Sequence, residues 1–319
     1  MSEDLSKKLE SESEGFGDAV SWLMDSKKIP VTRLNCRLLQ NKGVELWVAR
    51  LDQVDPLISG NKWFKLKYNL VEALDQRASH IVSFGGAYSN HLHALAAACY
   101  RLGLKSTAVL RGELVSPLNP TLSDCESWGM SFLPVTRAEY REKTSPSFIQ
   151  RLHEQLGMFY MVPEGGSNAL AVKGTAEIVS RAIISDFGID HIVLPCGTGG
   201  TLAGVAASQP DISVVGIPVL KGAEFLNDDI ESLLKSAGCS DLNNWVLECG
   251  GHFGGYGKTT PELLAFIAMM ASDYGIPLDQ VYTGKMLLRV IELIDADFFV
   301  KGSQLLVLHT GGLQGLRSL

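Results

Sequence analysis

Short apolar runs alternate with amphipathic stretches along this chain, in the rhythm of strands and helices taking turns. Trp63, Leu66, Leu70 and Leu74 recur at helical spacing and predict an amphipathic helix behind the turn Ser59-Gly60-Asn61. The apolar run 80–84 predicts a short buried strand, and the alanine-rich stretch 92–101 a helix after it. Further strands are expected at 45–51, 106–111, 131–134, 159–162, 191–195, 212–217, 245–248 and 304–309. Helices are expected at 17–25, from the loop 163–168 through about Ser185, and over 223–237, 261–274 and 285–294. Asn119-Pro120 and Ser145-Pro146 each join an N-cap residue to a proline at the first helical position, so both open helices. The alternation calls for open, mostly parallel sheets with helices on both faces. No Pro/Ser linker divides the chain, so a second lobe is expected to be inserted into the first.

Composition narrows the picture. The chain has 319 residues, 46% hydrophobic and 20% charged, with a net charge of −7, and it shows no basic stripe with interleaved aromatics. Nucleic acid is therefore not an expected partner. No apolar run is long enough to span a bilayer, and Met1–Gly15 is polar and acidic without the apolar core of a signal peptide. This segment is expected to be a loose tail, and a cytoplasmic enzyme is the expectation for the whole. The six cysteines are widely spaced without a CxxC pair, and the seven histidines show no HExxH pattern, so no metal site is expected.

Candidate chemistry concentrates in a few loops. Lys62 follows a Gly-Asn turn and opens a helix beside Trp63 and Phe64. The positive end of the helix dipole and apolar neighbours both disfavour its ammonium form, which favours attack on a carbonyl. The bland alternative is a solvated surface lysine. Gly85-Gly86-Ala87-Tyr88-Ser89-Asn90-His91 is a glycine-rich strand exit that runs into a helix, fit to present N–H groups to a carboxylate or phosphate. Gly197-Thr198-Gly199-Gly200-Thr201 is the clearest anion cradle: it follows a buried strand, opens a helix and adds two threonine hydroxyls. It has neither the Walker lysine nor the GxGxxG spacing, so a monophosphate cofactor suits it better than a nucleotide. A ligand-free β–α turn remains the alternative. Tyr256, in a glycine-rich loop, and Tyr282, ahead of a late helix, are candidate substrate contacts.

Taken in order, SGNKWFK, GGAYSNH, PEGGSN, CGTGGTLAG, GGYG, VYTGK and HTGG resemble the pyridoxal-phosphate-dependent D-cysteine desulfhydrase and 1-aminocyclopropane-1-carboxylate deaminase family. The likeness runs from about Glu45 to the C-terminus. It implies an α/β, tryptophan-synthase-β-like architecture (fold type II) of two open twisted sheets. A large cofactor-binding domain would comprise 1–65 and 171–319, with a smaller α/β domain, 66–170, inserted. It implies pyridoxal 5'-phosphate bonded covalently to Lys62, its phenolic oxygen hydrogen-bonded by Asn90, and its phosphate held by Lys65 and Gly197–Thr201. Ser89, Asn90 and His91 would bind the substrate carboxylate, with Ser89 placed to assist proton transfer, and Tyr256 and Tyr282 would be the two active-site tyrosines. A homodimer is implied by the same analogy.

Two departures separate the family's branches. The cyclopropane deaminases carry a glutamate at Thr283 and a leucine at Thr310, both near the pyridine nitrogen. A neutral threonine leaves the cofactor ring a weaker electron sink, which is enough to expel a thiolate that carries its own charge away. The expected activity is therefore α,β-elimination from D-cysteine or a similar small β-substituted amino acid, giving pyruvate, ammonia and sulfide. The alternatives are cyclopropane deamination to 2-oxobutyrate and ammonia, or a catalytically silent relative that binds the cofactor.

Overall fold

A computed structural model describes residues 17–318 of the chain; the expected tail over 1–15 lies outside the described residues. Helix α1, whose described part covers 17–24, leads into strand β1 (Val31–Leu34), helix α2 (Arg37–Lys42) and strand β2 (Glu45–Arg50). Next come α3 (Asn61–Asp75), β3 (His80–Gly85), α4 (Asn90–Arg101), β4 (Lys105–Arg111), α5 (Pro120–Ser127) and β5 (Met130–Val135). The middle of the chain adds α6 (Arg137–Arg141), α7 (Pro146–Leu156), β6 (Tyr160–Met161), α8 (Ala169–Thr175) and α9 (Arg181–Phe187). The remainder is β7 (His191–Cys196), α10 (Gly200–Ser208), β8 (Ser213–Pro218), α11 (Leu226–Ser236), β9 (Trp245–Leu247), α12 (Pro261–Tyr274), α13 (Thr283–Asp295) and β10 (Gln304–His309).

The strands form two sheets. One has six strands in the order β1-β2-β10-β7-β8-β9, and the other four in the order β5-β4-β3-β6. Every pairing is parallel except β1 with β2. The central strand β10 reads Leu305-Leu306-Val307-Leu308, each residue fully buried, as a parallel strand covered on both faces must be. All strands of the smaller sheet fall between residues 80 and 161, whereas the larger sheet draws on both flanks of that segment. No helix among the described residues is long and apolar enough to cross a membrane.

Local chemistry explains most boundaries. Asn119 and Ser145 cap α5 and α7 through their side chains, each with proline in the first turn. The single helix expected from the 163–168 loop to about Ser185 is two. At the end of α8 the Thr175 hydroxyl shares its one proton between the Ala171 carbonyl behind it (2.8 Å) and the Gly200 carbonyl across from it (3.0 Å). Ser180 then caps α9 anew. Strand β1 and helices α2 and α6 were not anticipated; β1 is four residues long and only Leu34 in it is buried, too little for a period to show.

One contact ties the start of α3 to the end of β10. Gly60 has φ +74°, and a Cβ there would stand 2.0 Å from the Thr310 carbonyl oxygen. The Asn61 N–H donates to that same carbonyl (3.2 Å), and the Gly60 N–H donates to the Leu51 carbonyl (2.9 Å). Only glycine serves here, for both its backbone angle and its lack of a side chain. Gly60→Ala is expected to destabilise the fold by about 3 kcal/mol, from combined strain and overpacking. Gly315→Ala, with open space at its Cα, should change stability by less than about 0.5 kcal/mol. Urea unfolding of both variants checks the difference.

Candidate active site

The carboxyl ends of strands from both sheets converge on one cavity of about 660 Å³. Gly85 closes β3, Arg111 closes β4, Cys196 closes β7, and Thr310 follows β10; all four line it. Open α/β sheets place ligands at this end because the strand-to-helix loops gather there. Among the described residues, no group of three His, Cys, Asp or Glu side chains is arranged to hold a metal ion.

Lys62 and Lys65 occupy the first turn and a half of α3 and both face the cavity. Lys62 keeps some exposure as a residue, through the cavity itself, but its ammonium is desolvated. Its Nζ donates to Asn61 Oδ1 (2.9 Å). Desolvation pushes its pKa down from 10.5 to about 8, against a smaller opposing pull from the Asp279 carboxylate. Lys65 is buried and donates to Ser167 Oγ (2.6 Å) and Thr198 Oγ1 (3.2 Å). Burial first, and the neighbouring Lys62 charge second, hold its pKa well below the ordinary lysine value. Neither lysine has a carboxylate within ion-pair distance among the described residues.

Beside Lys65 opens the cradle. Gly199, at φ +73°, is the N-cap of α10 and supplies no side-chain cap, so the first N–H groups of the helix stay free. A Cβ on Gly200 would lie 2.9 Å from Ser167 Oγ and 3.2 Å from Lys65 Nζ, so the backbone there borders the ammonium directly. Thr198 shares a hydrogen bond with Ser167 (2.6 Å), and Thr201 Oγ1 accepts from Asn61 Nδ2 (2.8 Å). A buried cation without a counter-charge, free helix N–H groups and three hydroxyls fit a phosphate monoester. With Lys62 one helical turn away, the set fits pyridoxal phosphate: an anion for the cradle and an aldehyde for the amine.

Ser89 caps α4 by accepting from the Leu92 N–H (3.2 Å), and Asn90 Oδ1 accepts from Gln314 Nε2. His91 is buried, with Nε2 2.7 Å from Ser83 Oγ. Ser83 donates its one hydroxyl proton to the Val162 carbonyl (2.8 Å), so satisfying all three groups puts the histidine proton on Nε2. Nδ1 is then a bare acceptor, and it has no partner among the described residues. Burial, then the charges of Lys62 and Lys65, hold the ring's pKa far below its usual value, so it is neutral. A neutral acceptor does not attract a carboxylate; the donors suited to one are the first-turn N–H groups of α4 and the Ser89 hydroxyl.

Tyr256 and Tyr282 meet over the opposite wall, with the Tyr282 hydroxyl donating to Tyr256 at 3.4 Å. Burial, reinforced by Tyr256, raises the Tyr282 pKa well above 10 and keeps its proton in place. The loop that carries Tyr256 is clamped from below. Lys285 is fully buried, and its ammonium donates to the carbonyls of His252 (2.9 Å) and Gly255 (2.7 Å).

The two threonines differ in placement. Thr310 lines the cavity. Thr283 is buried behind it and does not: its hydroxyl donates to Asp279 Oδ1 (2.7 Å) and accepts from the Asp279 N–H (2.9 Å). The remaining expected residues, from Lys62 and Lys65 through Ser89–His91 and Gly197–Thr201 to both tyrosines, share the one cavity. Sequence reasoning passed over four residues. Asn61 orients Lys62, Asp279 caps α13, Lys285 clamps the tyrosine loop, and Arg111 lines the wall. Lys285 stands inside the VYTGK motif, and Asp279 stands four residues ahead of the Thr283 helix start; those were the available signals.

Residues 26–311 match the family described as pyridoxal-phosphate dependent enzymes. An Arabidopsis thaliana protein named bifunctional D-cysteine desulfhydrase/1-aminocyclopropane-1-carboxylate deaminase, mitochondrial, is 32% identical over 90% of this chain and 77% of its own length. A Yersinia pestis D-cysteine desulfhydrase is 28% identical over 90% of this chain and 92% of its own. The solved structure of an ACC deaminase homologue superposes with a TM-score of 0.78 at 26% identity, covering 93% of this chain and 95% of that one. The fold is accordingly that of the fold type II enzymes, and the cofactor is pyridoxal phosphate. The chain belongs to the pyridoxal-phosphate-dependent enzymes, within the group that holds the D-cysteine desulfhydrases and 1-aminocyclopropane-1-carboxylate deaminases.

Proposed function

We propose that the protein is a lyase that carries out α,β-elimination on D-cysteine or a similar small β-substituted amino acid, releasing pyruvate, ammonia and sulfide. The observation that carries this reading is the desolvated Lys62 amine facing one cavity with the Ser89-Asn90 helix start and the phosphate cradle. Bound pyridoxal phosphate supplies the aldehyde and an electron-withdrawing ring that stabilises charge at the substrate α-carbon. Lys65 and Gly197–Thr201 would hold its phosphate, Asn90 its phenolic oxygen, and Thr310, with Thr283 behind, its ring nitrogen. Lys62, with its pKa near 8, has enough neutral amine near neutral pH to attack a carbonyl and later to take the α-proton. Ser89 is the second base candidate. Ser89, Asn90 and the first-turn N–H groups of α4, that of His91 included, would orient the substrate carboxylate. Tyr282, kept protonated, and Tyr256 would guide the departing sulfur. A cytoplasmic homodimer is part of the proposal and rests on family likeness alone.

The second reading, opening of a cyclopropane amino acid, calls for a carboxylate beside the ring nitrogen. Asp279 is the carboxylate nearest in sequence to Thr283. It spends both oxygens on the start of α13, accepting from the N–H groups of Val281, Tyr282 and Thr283 and from the Thr283 hydroxyl, and it is not on the cavity wall. That favours elimination.

Three outcomes test the proposal. The purified protein with pyridoxal phosphate should form pyruvate from D-cysteine. Formation of 2-oxobutyrate from 1-aminocyclopropane-1-carboxylate, with no pyruvate from D-cysteine, would reverse the choice. When cofactor is added to apo-protein, the initial rate of yellow-band formation should rise with pH to about 8 and level off above it, because only the neutral Lys62 amine attacks. A flat profile would contradict the assignment. Thr283→Glu and Thr310→Leu should each lower kcat/KM for D-cysteine about tenfold or more, equivalent to about 1.4 kcal/mol of lost transition-state stabilisation. Unchanged kinetics in both variants would mean that these positions do not set the chemistry.

A further inference from the structure

Arg111 is the one cation on the cavity wall, among the described residues, to which the proposed reaction gives no work. It ends β4 at the carboxyl edge of the four-stranded sheet. Its guanidinium carbon lies 5.8 Å from the centroid of the ring of Tyr140, a buried residue, within cation–π range. From the other side, a Cβ built on Gly86 would stand 3.6 Å from its Nη2, so the guanidinium rests over the glycine-rich exit of β3. No carboxylate comes within ion-pair distance of it among the described residues. Glu164, the acid that faces Tyr140, pairs with Lys143 at 3.4 Å, and Lys143 shares the same ring from 5.0 Å. Arg101, Arg289 and Arg317 each hold a carboxylate. Arg111 is an exposed residue, and although Glu164 and Asp229 line the same cavity, neither pairs with it, so its fork of donors is open to a ligand.

The other positive groups have claimants. In the proposed reaction Lys65 and the start of α10 would hold a phosphate, Lys62 would take the aldehyde, and the start of α4 would orient the α-carboxylate. We propose that Arg111 is a specificity-determining residue that binds a phosphate monoester on the β-substituent of the substrate, so that the favoured amino acids carry a phosphate there. A planar guanidinium matches the paired oxygens of such a group in a way that a thiol cannot exploit. The inference rests on the elimination reading and names its substrate class. For O-phospho-D-serine the reaction balances without a redox partner. The α-proton passes to the base, the Cβ–O bond breaks, and phosphate leaves with the bonding pair. With one water taken up, the products are pyruvate, ammonia and phosphate.

The test compares wild-type holoenzyme with Arg111→Ala and Arg111→Lys on O-phospho-D-serine and D-cysteine, following pyruvate and, separately, binding through the change in cofactor absorbance. Wild type should favour the phosphorylated amino acid. Arg111→Ala should lower that preference, as the ratio of kcat/KM values, about tenfold or more, acting mainly on KM. Arg111→Lys should recover part of it. Equal losses on both compounds would assign Arg111 to the α-carboxylate and overturn the inference, as would no loss or a wild type that prefers D-cysteine. If wild type releases pyruvate from neither compound, the elimination reading fails. Binding then decides alone: Arg111-dependent binding of the phosphorylated amino acid upholds the inference, and Arg111-independent or absent binding ends it.

Discussion

Two lysines one helical turn apart, both desolvated and neither paired with a carboxylate among the described residues, set the terms for the rest of this molecule. Like charges at that spacing repel, and removing an ammonium from water costs several kcal/mol unless something replaces the lost solvation. What replaces it here is neutral: the Asn61 amide for Lys62, and the Ser167 and Thr198 hydroxyls for Lys65. Such partners stabilise an ammonium less than a carboxylate would, so the charge is left to be answered from outside. An anion at the α10 N-terminus and a carbonyl at Lys62 would answer both at once.

The fold's long-range contacts hold that arrangement open. Gly60 lets the backbone of the first motif press on the Thr310 carbonyl of the last. Asn61 reaches from α3 to Thr201 of the cradle while also facing Lys62, so helix, cradle and amine share one hydrogen-bonded hub. Lys285 gives up its solvation to grip two carbonyls of the Tyr256 loop. A buried cation held only by carbonyls is hard to explain by stability alone. Its position under a half-exposed tyrosine explains it: Tyr256 is 48% exposed, and without a grip on its backbone the ring would have little to fix it over the cavity.

Much of this was legible in the residue order. The spacing of Trp63, Leu66, Leu70 and Leu74 foretold α3, Asn119-Pro120 foretold α5, and the glycine loops foretold the cradle, because each signal is local. Signals that depend on a distant partner were not legible. Nothing in the helical pattern before Ser185 tells that Thr175 will turn its hydroxyl to the Gly200 carbonyl. Nothing at Thr283 tells that Asp279 will take its hydroxyl, which withdraws it from the cavity and leaves Thr310 as the threonine on the wall. His91 looked like a carboxylate ligand until Ser83, eight residues earlier, fixed its tautomer. Nothing at the end of β4 tells that Glu164 will pair with Lys143 and leave Arg111 without a carboxylate partner among the described residues.

Lys62, rather than its neighbour Lys65, is the amine proposed to bond the cofactor. That assignment is tested most directly by reducing the holoprotein with borohydride, digesting it, and locating the cofactor's mass by peptide sequencing in the mass spectrometer. The reduced cofactor should appear on Lys62 alone, and none on the corresponding peptide of Lys62→Ala. Label on Lys65, label elsewhere with Lys62 untouched, or no label in the wild-type protein would contradict it.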